Sequence, residues 1–467
     1  MTVSEQLARE TLELTFDELP PEVVSEAKRR ILDTLACAIG GFDSPPSDLI
    51  QSLVRQLGGP SEATVLGSGL RTSAMNAALV NGVMLRFTEA MDLGLMSREG
   101  RHPYGHPSEV IPSILAVGER QHSSGRDVIT AIVLGYQLLN RLSDATGGGT
   151  LIMSRWGWKH EIRGGFIVPL VAGKLMGLTG RQLVNAVGIS GAYTGELGIL
   201  DHGAEAVTMA RDLRFPYAAY KAILAVLMAE RGMEGPSRIY EGHHGFGEVM
   251  CGGRIDMERL IRREEEFCIV HTCTKWYPVN GRLPAQVEVL SGLATEHDIQ
   301  PDAVAHIKIT TSPRVIEHCG EPESHRHPQT KETADHSAYY TAAVAIVDRE
   351  LRLSLDQFTP ERLQDRLLNQ LADRIELVAV PEWGDSLAPA EVEITMNDGT
   401  SYTGRVEHAK GHPLNPVSGK DLEEKFRAMA SRIMSSDQIA NVIEAIYRLD
   451  EVDDVHELTK TLVCTGK

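Results

Sequence analysis

FIVPLVAGKLMGLTGRQLVNAVGIS (residues 166–190) sets two apolar runs on either side of a glycine–threonine turn. Residues 166–176 are apolar on most faces, which predicts a central, buried helix. Gly177 ends it, Thr179 supplies an N-cap, and a second helix follows. The same pattern extends in both directions. Val23, Val24, Ala27, Ile31, Leu32, Leu35 and Ile39 keep helical spacing over 22–39 and stop at Gly40-Gly41. Residues 72–89 are rich in Ala and Asn, small enough for neighbouring helices to approach closely. Residues 126–145 are likewise apolar on most faces. FPYAAYKAILAVLMAERG (215–232) carries Pro216 in its first turn, where a missing N–H costs little.

The pattern changes after about 268. AHIKITT (305–311) alternates like a half-buried strand, and EVEITMNDGTSYTGRV (391–406) alternates on both sides of Asp398-Gly399, a hairpin turn. Residues 332–351 are apolar enough for one buried helix. From Lys420 the pattern is helical again, with Leu422, Phe426, Ile433, Ile439, Val442, Ile443 and Ile446 on an inward face. The expected architecture is mainly α. A large all-helical domain (1–268, with 407–467 packing back on it) adjoins a smaller α+β lid domain (269–406).

A chain of 467 residues exceeds one ordinary core. Its hydrophobic share of 42% and charged share of 24% are those of a globular protein. A net charge of −18 argues against nucleic acid or an anionic membrane as partner, since both select a basic face. No apolar run approaches the roughly 20 residues of a membrane span. Six scattered cysteines without a CxxC pair read as free thiols in a reducing compartment, and MTVSEQLARETLELTFDELP reads as neither signal nor transit peptide. A cytoplasmic protein is expected. P-loop, GxGxxG, GxSxG and HExxH motifs are missing.

Chemistry is concentrated in a few stretches. RHPYGHPSEVIPSIL (101–115) puts His102 and His106 four apart, but Pro103, Gly105 and Pro107 forbid a helix through them. The histidines sit on a stiff loop, and a helix starts at Ser108 with Glu109 in its first turn. Such a loop can grip a metal, bind an anion, move a proton, or simply satisfy a turn. Asp92 lies upstream in RFTEAMDLG. RWGWKHEIRGGF (155–166) gathers Lys159, His160 and Arg163. TMARDLRFPYAAYK (208–221) places Arg211 and Arg214 before a helix N-terminus, a carboxylate-binding geometry or a pair of surface ion pairs. KWYPVNGR (275–282) falls near the domain boundary. In EHCGEPESHRHPQTKETADHS (317–337), His325 and His327 read as loop residues without ligand spacing, and His336 heads the buried helix.

Taken in order, these stretches resemble the MmgE/PrpD family of 2-methylcitrate dehydratases, cis-aconitate decarboxylases and related polycarboxylate enzymes. RRILDTLACAIGG, NGVMLRFTEAMD with GHPSEVIPSIL, KHEIRGGFIVPLVAGKLMGLTGRQLVNAVGIS, GMEGPSRIYEGHHGF, KETADHSAYYTAAVAIVD and NPVSGKDLEEKF carry the resemblance. It implies a helical domain and a lid with the site between them, a homodimer, and neither metal nor organic cofactor. By position it implies Asp92, His106 and His160 as catalytic residues. Glu89, Lys159, Arg163, Arg211, Lys275, Arg282 and His336 would then bind substrate. Arg211 stands where many members have lysine, the lid reads Val279-Asn280-Gly281-Arg282 after its proline, and the acidic loop reads Asp92-Leu93-Gly94.

The ADHS segment is closest to the dehydratase type. The expected activity is therefore dehydration of a small polycarboxylate such as 2-methylcitrate, with Asp92 either the base or the residue that orients a histidine. A cis-aconitate-type decarboxylase and an iminodisuccinate-type epimerase would use the same pocket. A metal-dependent hydrolase built on His102, His106, His325 and His327 is the reading from another class.

Overall fold

A computed structural model describes all residues except 95–104, 148–151, 201–205, 322, 384–386, 388 and 465–467. Arg101, His102 and Pro103 therefore lie outside the described residues. Helices dominate up to residue 261. The helices Gly164–Leu175 and Gly180–Ala192 follow the pattern that predicted them, with Thr179 Oγ1 accepting from the Gln182 N–H. They pack with Ala74–Phe87, Gly125–Ala145 and Arg214–Glu230 into one apolar core. Close approach needs small side chains here: a Cβ on Gly82 would lie 2.9 Å from Pro216 Cγ.

The tail helices Gly419–Ala430 and Ser436–Tyr447 bury Leu422, Phe426, Ile439, Val442, Ile443 and Ile446 in this same core. A second core runs from Val279 to Ile394. Its sheet has four strands in the order Ile375–Ala379, Val304–Thr311, Ala390–Met396, Ser401–Val406; the first pair is parallel and the others antiparallel. The hairpin turns at Asp398-Gly399 as expected, with Gly399 at φ 88°. Pro284–Glu296 covers the hairpin and meets Ala338–Val347 on its other side. Among the described residues, no helix is long and apolar enough to cross a membrane.

Two local expectations need correction. The loop after His106 enters a 3-10 turn, Pro107–Val110, before the α-helix Ile111–Gln121 begins. Pro112 lacks an N–H and suits the first turn of the later helix, so the regular α-helix starts three residues after Ser108. The single helix expected over 332–351 is two, Lys331–Ala334 and Ala338–Val347. Ser337 breaks it: its side chain accepts from the Tyr340 N–H at 2.8 Å, and so starts a new helix where the old one would have continued. The break leaves Asp335 and His336 on a bend.

Candidate active site

Glu89 follows the Ala74–Phe87 helix with φ 51°, a left-handed conformation that side-chain-bearing residues rarely adopt. Its partners hold it there. Lys275 Nζ lies 2.8 Å from Glu89 Oε1, and Arg211 Nη2 pairs with Oε2. Arg211 Nη1 reaches Asp335 Oδ1 at 3.3 Å, Lys331 Nζ pairs with Asp335 Oδ2 at 2.7 Å, and His336 Nδ1 lies 2.5 Å from Asp335 Oδ1. All but Lys331 are buried. Burial alone would raise the Glu89 carboxyl, but Lys275 and Arg211 override it and hold the group well below the usual range. Asp335 comes down to about 2, because Lys331 and Arg211 outweigh its burial.

A second charged group adjoins the first through Arg86. This guanidinium, on a helix with no other charged residue, lies 3.3 Å from Glu109 and 3.9 Å from Glu161, and Arg214 Nε lies 3.0 Å from Glu161. Buried charges survive only with such compensation. Burial pushes the Glu109 carboxyl up to about 8, against the pull of Arg86. Glu109, Glu161, His106, His160, Arg163 and Asn140 line one recess.

His106 hangs from the loop between the two groups. Its Nδ1 lies 2.5 Å from the backbone carbonyl of Asp92, an acceptor only. That partner assigns the proton to Nδ1 and the lone pair to Nε2. Burial first, then Arg86 and Lys275, push the imidazole well below its usual range, so it is neutral at pH 7. The Asp92 carboxylate does not touch His106. It caps the 3-10 turn through Ser108 N (3.1 Å) and Oγ (2.6 Å) and accepts from the Tyr136 hydroxyl at 2.7 Å. Burial raises its pKa. Of the two roles expected for Asp92, orientation of the loop is the one its contacts describe.

Gly105 explains part of the loop's composition. With φ 70°, it packs so closely on the next segment that a Cβ would fall 2.3 Å from Arg163 Nη2 and 2.9 Å from His160 Cδ2. His160 opens the short helix His160–Arg163, and Arg163 Nε donates to the His160 carbonyl at 2.7 Å. Burial, then Arg163 and Lys159, also hold His160 in its neutral form. Lys159 is buried, with its N–H on the Glu196 carbonyl at 2.9 Å.

Seven of the expected site residues therefore meet directly or through Arg86: Glu89, His106, His160, Arg163, Arg211, Lys275 and His336. Asp92 stands behind His106. Arg282 lines a second recess, together with Lys275, Lys410 and His412. A strap divides the two recesses: Leu93 pairs with Cys273 through both backbone groups (2.9 and 3.2 Å) and faces the lid recess, whereas Gly94 faces the His106 recess.

His325 and His327 do not join the site; His327 bonds to Asn369 and Asp373, both at 2.9 Å. Sequence reasoning passed over Arg86, Glu109, Glu161, Lys331 and Asp335 as site residues. Arg86 had a signal, a lone charge in NAALVNGVMLRF, while the others look like ordinary helix-end charges.

The MmgE/PrpD N-terminal domain matches residues 5–258 and the MmgE/PrpD C-terminal domain matches residues 277–451. Cis-aconitate decarboxylase of Aspergillus terreus is 26% identical, over 100% of this chain and 96% of its own. Cis-aconitate decarboxylase of Homo sapiens is 24% identical, over 99% and 94%, and that of Mus musculus 23%, over 99% and 93%. The two domain matches span most of both cores and every residue of the charged site except Lys275, and on that ground the chain belongs to the MmgE/PrpD family.

Proposed function

We propose that this protein is a lyase acting on a small polycarboxylate, by proton transfer at a carbon next to a carboxylate. The observation that carries this reading is the neutral His106 imidazole, fixed through Nδ1 to the Asp92 carbonyl and lining a recess with His160 and Arg163. A base must be unprotonated and aimed, and a stiff loop braced on Gly105 supplies the aim. Negative charge developing on the substrate would be offset by Arg163, with Lys159, Arg211 and Lys275 nearby.

Within this class, decarboxylation of a cis-aconitate-type acid is supported by the names of relatives that align over nearly the whole chain. Dehydration of a citrate-type acid such as 2-methylcitrate is the second reading, and Glu109 favours it. With its carboxyl pushed up to about 8, Glu109 carries the proton a departing hydroxyl needs while His106 Nε2 keeps a free lone pair. An elimination needs both. The metal-hydrolase reading finds less support. Glu89, Asp335 and His336 place donor atoms within 4.8 Å of one another, but Arg211, Lys275 and Lys331 already neutralise both carboxylates, and a dication would enter against three cations.

Proton NMR of EDTA-treated protein with cis-aconitate, citrate, 2-methylcitrate and iminodisuccinate, each in D₂O, tests the proposal. Itaconate from cis-aconitate gives decarboxylation, and a new alkene from a citrate gives dehydration. Deuterium exchange alone gives an epimerase. No change in any sample overturns the assignment to this substrate class.

A further inference from the structure

Lys425 sits on the tail helix Gly419–Ala430 with its side chain fully buried. An ammonium offers three N–H donors. Lys425 Nζ lies 2.6 Å from the Ala90 carbonyl, 2.8 Å from the Lys275 carbonyl and 2.6 Å from Asp33 Oδ1. Ala90 follows Glu89 directly, and Lys275 is the residue whose ammonium grips Glu89. One buried cation from the far end of the chain therefore ties together the backbones of both partners of the Glu89–Lys275 pair. Asp33, on the Pro21–Gly40 helix, supplies the countercharge.

We infer that Lys425 is a positioning residue: it sets the separation of the 89–92 and 273–277 segments and thereby presents Glu89 and Lys275 to the substrate and the Asp92 carbonyl to His106. This rests on the lyase reading for its kinetic consequence, though not for its structural one. A lysine placed merely to fill the core would not need two main-chain carbonyls from separate segments, and its burial cost is large without them. Asp92 lies two residues beyond Ala90, and its carbonyl holds His106, so slack at Ala90 reaches the imidazole as well. The strap pairing of Leu93 with Cys273 joins the same two segments just beyond the tripod.

The test compares Lys425→Met with Phe426→Leu, a neighbouring fully buried residue on the same helix that touches none of the site residues' carbonyls through a hydrogen bond. Both lower the melting temperature. On whichever acid the wild type turns over, Lys425→Met is expected to lower kcat/KM by about tenfold to a hundredfold, chiefly through KM. Phe426→Leu is expected to leave KM essentially unchanged.

Hydrogen–deuterium exchange provides the arm that needs no activity. Peptides covering 88–94 and 273–277 are expected to exchange faster in Lys425→Met, at a temperature well below its melting point, and to stay protected in Phe426→Leu. Equal effects of the two variants on KM or on exchange, or none from Lys425→Met, overturn the inference. A wild type inactive on every acid overturns the lyase reading alone, and the exchange result then decides the role of Lys425.

Discussion

A methyl group on Gly105 would strike Arg163 and His160 together, on a backbone that disfavours any side chain. Gly105→Ala is expected to lower turnover about a hundredfold while the protein still folds, because it displaces His106, His160 and Arg163 in one step; circular dichroism beside the kinetics checks this. His106→Gln removes the proposed base and keeps much of the shape, and its expected cost is roughly 10²–10⁴ in turnover, read from initial rates.

Glu109 makes a prediction through pH. Its folded pKa of about 8 lies above the ordinary 4.5, so the folded state binds its proton more tightly than the unfolded state does. That stabilisation is fully present below about 4.5 and is lost as pH rises through about 8. Glu109→Gln mimics the protonated form. Melting curves of the variant and the wild type should agree near pH 5, and the variant should be the more stable near pH 9 by a few degrees. Superimposable curves at both pH values would contradict a proton held on Glu109.

At the scale of elements, the bend between Lys331–Ala334 and Ala338–Val347 matters most. Ser337 caps the second helix and also donates to the His325 carbonyl, so it anchors the bend at two points. Ser337→Ala is expected to cost about 1 kcal/mol of stability for the lost cap, measured by chemical denaturation. It should also weaken substrate binding, because Asp335 is held by Arg211 and Lys331 only while the bend keeps its shape. The helix periodicity of 332–351 was readable, but its interruption was not. A serine inside an apolar run is ordinary, and only the carbonyl of His325 opposite gives it a second partner.

For the whole molecule, several large apolar side chains between residues 193 and 217 face outward. Tyr193, Leu197, Ile199, Met209 and Tyr217 are all exposed. Lys221 joins part of this surface, with Nζ 3.4 Å from the Tyr193 carbonyl and 5.1 Å from the Tyr217 ring centre. Exposed groups of this kind mark contact surfaces. A homodimer is expected by light scattering, and Leu197→Glu with Ile199→Asp is expected to yield monomer. An unchanged mass for that double variant would move the contact to another face.

The amino-acid sequence by itself determined the helical architecture, the strand hairpin and the segments that carry the site. Burial patterns of period 3.6 and 2 are local, and so are the caps at Thr179 and the turn at Asp398-Gly399. The individual candidates His106, His160, Arg211 and Lys275 were legible because histidines on a proline-rich loop and cations beside helix ends are unusual in a chain of this composition. Only the tertiary structure decided how they are used. It put Arg86 between Glu109 and Glu161, gave His106 the carbonyl of Asp92 rather than its carboxylate, set Arg282 in one recess with Lys275, and ran Lys425 from the tail to Ala90 and Lys275. The reason is physical: a charge's partner and its burial depend on segments hundreds of residues away, and no local pattern encodes which of them it will meet.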